Sequence, residues 1–153
     1  MRITVAAFAD DAKQSADQKL SIIGIHNAVK AAELPARLAE KLVLRFTAEP
    51  EDAGREQHVT LRVLRPDGGE LTTITADPFS LDVAPNSPAD MDQVLDLTIL
   101  VESAGRYVFD IEVNGTLATR LPLLVLHDPN LVVVPGRTAG KLKPKLPPSR
   151  RRR

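Results

Sequence analysis

The chain has 153 residues, 43% hydrophobic and 26% charged, ordinary usage for a globular protein long enough to bury a core without crosslinks. It has no cysteine, which excludes disulfides, thiolate nucleophiles, Cys-ligated zinc and iron–sulfur clusters, and no apolar run approaches the ~18 residues of a membrane-spanning helix. Its zero net charge hides an asymmetry: residues 1–128 hold all twenty carboxylates and twelve cations, a net −8, whereas residues 129–153 hold eight cations and no acid.

Arg2 to Ala9 alternates and reads as a first strand with mostly apolar odd positions, ended by Asp10-Asp11. Ala7-Phe8-Ala9 mimics a cleavage site, but the stretch before it is shorter than the ~15–30 residues of a leader, so it reads as structure. Ala12 to Lys19 is polar and reads as a loop, and Leu20 to Ile25 is short and β-branched, so a strand is expected there. Residues 28–40 have helix-forming composition, but Pro35 argues against one continuous helix, which leaves an extended connection or a short helical turn.

From residue 41 the period becomes two. Leu42, Leu44 and Phe46 alternate with polar neighbours, as do Val59, Leu61 and Val63, and Glu49 to Gln57 between them reads as a charged hairpin loop. Pro66-Asp67-Gly68-Gly69 is a turn, and Leu71 to Thr75 is the returning strand. Asp77 to Asp90 contains three prolines and reads as a long crossing segment with at most one short strand, Phe79 to Val83. Two further strands run from Val94 to Val101 and from Tyr107 to Val113, joined tightly by Ser103-Ala104-Gly105. Asn114-Gly115 is the strongest hairpin signal, leading into Thr116 to Leu126, which Pro122 marks as an edge strand or a bulge. Leu131 to Val134 adds a last strand or an apolar strap.

Seven to nine short strands without intervening helices predict an all-β domain of two packed antiparallel sheets, an immunoglobulin-like sandwich over residues 1–134, with an open meander or a barrel as the alternatives. Residues 135–153 are Pro-rich and basic, cannot bury enough apolar surface to offset their ordering entropy, and are expected to be disordered unless bound. Their cations, Arg137, Lys141, Lys143, Lys145, Arg150, Arg151, Arg152 and Arg153, are the candidate partner-binding residues. Three roles are open to them: nucleic-acid phosphates, an acidic surface of this chain or a neighbouring subunit, or solubility alone.

The elements Phe8-Ala9-Asp10, Lys19-Leu20-Ser21-Ile22-Ile23-Gly24, Leu34-Pro35-Ala36, a strand near Leu42, Gly105-Arg106-Tyr107-Val108-Phe109 and the Asn114-Gly115 hairpin resemble an uncharacterised family of small bacterial proteins, common in actinobacteria. The resemblance covers about residues 1–126 and implies an immunoglobulin-like fold and no known activity.

Chemistry-bearing motifs are sparse. His26, His58 and His127 have no zinc-ligand spacing and read as exposed strand-end residues. No G-x-S-x-G elbow, Walker loop or dinucleotide fingerprint occurs, and Asp90-Met91-Asp92-Gln93 lacks the glycine and glutamate of a calcium loop. The five aromatics fall mostly on apolar strand faces, which argues against sugar-binding or single-strand-binding platforms. The expectation is a non-catalytic module without cofactor or metal, suited to a reducing cytoplasm. It would act through protein–protein contacts with a partner or neighbouring subunit, presenting Glu49–Gln57 and Asp77–Asp90. The rivals are nucleic-acid binding through the tail, assembly into a larger particle, and a small hydrolase, which would bring one His to a Ser or Asp in a pocket.

Overall fold

The computed structural model describes residues 1–132. Residues 133–153, with Val133, Val134 and every tail cation from Arg137 to Arg153, lie outside the described residues. Among the described residues nine strands follow in order: β1 Arg2–Gln14, β2 Leu20–His26, β3 Ala28–Ala31, β4 Ala36–Ala48, β5 Val59–Leu64, β6 Glu70–Thr75, β7 Ala89–Val101, β8 Gly105–Val113 and β9 Thr116–His127. They form a four-stranded sheet, β2-β1-β4-β7, facing a five-stranded one, β3-β9-β8-β5-β6. All pairings are antiparallel except β3 with β9.

Alternation builds the core. Leu38, Leu42, Leu44 and Phe46 of β4 meet Val59, Leu61 and Val63 of β5 and Tyr107, Phe109 and Ile111 of β8 in one buried cluster. The Phe8 ring of β1 packs edge-on against Phe109 of β8, centroids 4.9 Å apart, so the contact spans both sheets. The Tyr107 hydroxyl donates to the Ser103 carbonyl at 3.0 Å, back across the turn that carries the chain from β7 to β8. This tyrosine corner, the two-sheet strand order and the parallel β3–β9 edge make the domain an immunoglobulin-like sandwich. Phe109 stands two residues after Tyr107, where disulfide-bonded members of the fold class place a cysteine.

Several local expectations give way. The first strand runs through Asp10-Asp11 to Gln14, because β2 pairs with it as far as Gln14↔Leu20. A register shift between Ile3 and Val5 changes the inward positions: Ile3 packs on the core before it, as expected, but Ala6 and Phe8 do so after it. Residues 28–40 contain no helix: β3 occupies 28–31, the Leu34–Pro35 peptide is cis, and β4 begins at Ala36 rather than 41, zipped to β7 from Ala36↔Val101 onward. Glu49–Gln57 is not a hairpin, since β4 and β5 lie in opposite sheets. The segment after β6 crosses between the sheets as expected, with a bridge from Phe79 to Gln57 and no strand over Phe79–Val83. Pro122 lies inside a continuous β9, beyond the stretch that β3 covers (Leu124–His127), and is tolerated on that exposed edge. Both predicted tight turns form, with Gly68 at φ 86° and Asn114-Gly115 at φ 52° and 77°.

Asp110 stands on the solvent face of β8, paired across the sheet with Arg62 and Arg120. Arg120 grips it with two hydrogen bonds, of 2.6 and 2.8 Å, and these hold its carboxyl below the usual carboxylate range. A depressed carboxylate adds stability that is complete above its unfolded value and is lost as pH falls through the folded one. Asp110→Asn is therefore expected to flatten the acid limb of a urea-unfolding series taken at falling pH. In the same assay at neutral pH, Tyr107→Phe is expected to cost about 1 kcal/mol and Phe109→Ala about 3–5 kcal/mol; equal effects would contradict the packing described.

Candidate functional site

Strands β1 and β4 separate partway along their length. Their ladder runs from Arg2↔Thr47 to Ala9↔Lys41 and stops. Beyond it, residues 10–14 of β1 pair with β2, and residues 36–40 of β4 pair with β7. A cleft of about 230 Å³ opens at this fork, lined by Asp10, Glu40, Lys41, Asp96, Leu97 and Thr98, among others.

His26 closes the fork. It ends β2 opposite Phe8, and its ring lies 6.5 Å from the Phe8 ring. Nε2 is 2.7 Å from Oε2 of Glu40, a side chain that faces inward on β4 and is only 8% exposed. Nδ1 is 3.0 Å from the Gly24 carbonyl oxygen and 3.4 Å from Oδ1 of Asp10. His26 is thus a half-buried tie between three strands, not the exposed strand-end residue the sequence suggested. His58 is the exposed type, beside Glu56 at 3.0 Å, and His127 faces the Ala32 carbonyl at 3.2 Å.

An imidazole between two acids beside a cleft partly meets the hydrolase expectation. A hydrolytic triad places a nucleophile on one ring nitrogen and a carboxylate on the other. Here both nitrogens face carboxylate or carbonyl oxygen, and no hydroxyl is among the partners of His26. The arrangement can hold a proton and bind strands together. Among the described residues, no group of three or more His, Asp and Glu is placed to hold a metal ion.

Gly24 makes this geometry possible. The register sets it opposite Asp10, and its φ is 67°. A Cβ at position 24 would come within 2.4 Å of the Asp10 carboxylate, so the acid lies over space that only glycine leaves empty. Strand alternation around Gly24 puts Ile23 and Ile25 on the outer face of an edge strand, 54% and 66% exposed. Behind Ile25 the outer face runs to Ala9, which is buried, and then to Lys41 and Asp96; Val43 beside them is fully buried, and Val94 on β7 is partly exposed. The ion pairs Lys41–Asp96, at 2.6 Å, and Arg45–Asp92, at 2.7 Å, flank it.

The loops expected to meet a partner sit at the opposite end of β4 and are fastened to each other. Gly54 N–H donates to Leu81 O at 3.0 Å, Gln57 N–H to Phe79 O at 2.7 Å, and the Phe46 and Phe79 rings lie 5.6 Å apart. No helix among the described residues is long and apolar enough to cross a membrane.

Gly24→Ala is expected to cost more than ~1 kcal/mol in urea unfolding, from the positive φ and the Asp10 clash together. Adding Asp10→Ala should recover the steric part only, so the two changes are expected to be non-additive. Additive losses would place Asp10 away from Gly24.

No curated protein matches the chain. Among the solved structures that resemble it are two at 17% identity. One is the alkylpurine DNA glycosylase AlkC of Pseudomonas fluorescens, bound to DNA containing an abasic site analog, with a TM-score of 0.45 over 82% of this chain and 30% of that one. The other is an immunoglobulin-like protein of Pseudomonas aeruginosa, with a TM-score of 0.36 over 81% of this chain and 94% of that one. The family model that matches spans residues 4–126, from the first strand to the end of the last, and the chain belongs to that family of unknown function, DUF6941.

Proposed function

We propose that the chain is a non-catalytic binding module whose protein-contact surface is the outer face of β2. The observation that supports this reading is the pair Ile23 and Ile25, strongly exposed and two residues apart on an edge strand. Burying one such side chain is worth roughly 1.5–3 kcal/mol, which a partner covering both would recover. A protein partner or a neighbouring subunit fits this surface.

A second reading rests on the eight cations of residues 129–153, which suit the phosphates of nucleic acid. The net −8 of residues 1–128 works against it by repelling the same polyanion.

The test is affinity capture with three chains: full length, truncated after Asn130, and full length carrying Ile23→Asp with Ile25→Asp. Partners held by the first two and lost by the third support the β2 surface, provided circular dichroism shows the double variant folded. Loss on truncation alone transfers the contact to the tail. Capture of duplex DNA or RNA that collapses with salt would establish the nucleic-acid reading.

A further inference from the structure

Strand β7 is an edge of the four-stranded sheet and pairs with β4 alone. It is thirteen residues long, whereas the other edge strands, β2, β3 and β6, have seven, four and six. Along an edge, alternate N–H and C=O groups point away from the neighbouring strand and need other partners. Among the described residues no backbone hydrogen bond joins β7 to anything but β4, and its register runs without a bulge from Ala89 to Val101. The strand contains no proline, glycine or lysine to guard that edge. Its three aspartates turn to β4 instead: Asp90 accepts from Thr47 at 2.6 Å, Asp92 from Arg45 at 2.7 Å and Asp96 from Lys41 at 2.6 Å.

The side chains of this edge fit a second copy of themselves. Val94, Asp96, Thr98 and Leu100 are exposed on the outer face, and Leu95, Leu97 and Ile99 face the core side. Two β7 strands running antiparallel about a two-fold axis at Leu97 place Val94 opposite Leu100 and Asp96 opposite Thr98, each twice by symmetry. The neighbouring registers are worse. An axis at Val94 or Asp96 sets aspartate against aspartate, and an axis at Leu95 or Thr98 sets Asp96 against Val94 or Leu100. The Leu97 register ends at Gln93 opposite Val101, before Asp92 meets Glu102. The full chain has no net charge to keep two copies apart.

We infer that the chain forms a two-fold dimer through β7, which joins two four-stranded sheets into one of eight strands with Leu97 on the axis. The pairing uses up the β7 edge of both copies, so it closes at two. It is independent of the β2 surface, which lies at the far edge of the same sheet and stays open to another partner. Nine paired residues from each copy make a small interface, so the association is reversible.

The experiment is sedimentation equilibrium of the full-length chain over a concentration series reaching millimolar, with amide exchange by NMR at both ends of the series. The mass is expected to rise toward twice the 16.6 kDa of one chain, and the β7 amides to gain protection while those of β2 and β6 do not. Thr98→Asp sets aspartate against Asp96 at two symmetric places and is expected to weaken the dimer about fivefold or more. Thr98→Lys sets the opposite charge there and is expected to hold it at least as tightly as the wild type. Should Thr98→Asp fail to fold, Leu100→Asp, which removes the apolar pair with Val94, is expected to weaken the dimer in its place. A chain monomeric throughout, equal effects of the two Thr98 variants, or protection gained at β2 instead overturns the β7 dimer. A monomer whose β7 edge amides are protected at every dilution also overturns it and assigns the edge to cover from within the chain. Ile23→Asp with Ile25→Asp leaves β7 untouched, so the dimer is expected to persist in that variant whether or not partner capture is lost.

Discussion

Every other feature depends on burying alternate side chains of β4 and β8 between two facing sheets. Leu38, Leu42, Leu44 and Phe46 come from one sheet, and Tyr107, Phe109 and Ile111 from the other, with Phe8 against Phe109 joining them. No disulfide crosses this layer, because the chain has no cysteine. The two sheets are held together by apolar burial and by the Tyr107 tether to Ser103, while charged pairs such as Asp110–Arg120 tie strands within one sheet.

That core also explains the fork. β4 is thirteen residues long and pairs with β7 along all of it, whereas β1 leaves β4 after Ala9. At the point of departure Glu40 still faces inward, so a carboxylate enters a mainly apolar layer and needs partners. His26 supplies one of them, and Gly24 gives Asp10 the space to approach the same ring. The exposed Ile23 and Ile25 are on the other face of the same strand. One local arrangement thus settles the inward and the outward character of β2.

The sheet pattern was legible in the sequence where alternation was strict, as in Leu42 to Phe46, Val59 to Val63 and Tyr107 to Val113, and where turn chemistry was specific, as in Asp67-Gly68 and Asn114-Gly115. Three features were not legible. The shift at Ile3–Val5 reversed the face of β1, and a one-residue slip cannot be seen in a run as uniformly apolar as Ile3 to Ala9. Residues 36–40 joined β4 although Ala, Leu and Glu favour helix, because pairing with β7 overrides local propensity. The site itself was hidden, since Asp10, Gly24, His26 and Glu40 meet only through strand register; the one local hint was the glycine inside the β-branched run Ile22-Ile23-Gly24-Ile25. The tail cations, which stood out most in the sequence, lie outside the described residues and leave the fork as the candidate on the sandwich itself.

The most direct measurement is a set of nuclear Overhauser contacts in the full-length chain between the Phe8 and Phe109 rings and between the Leu44 methyls and the β8 side chains. Facing sheets predict strong Phe8–Phe109 ring contacts, at the 4.9 Å centroid separation, together with a Tyr107 hydroxyl slow to exchange. A folded chain with no contact between those two rings, or with residues 41–47 and 105–113 helical by chemical shift, would contradict the sandwich and everything placed upon it.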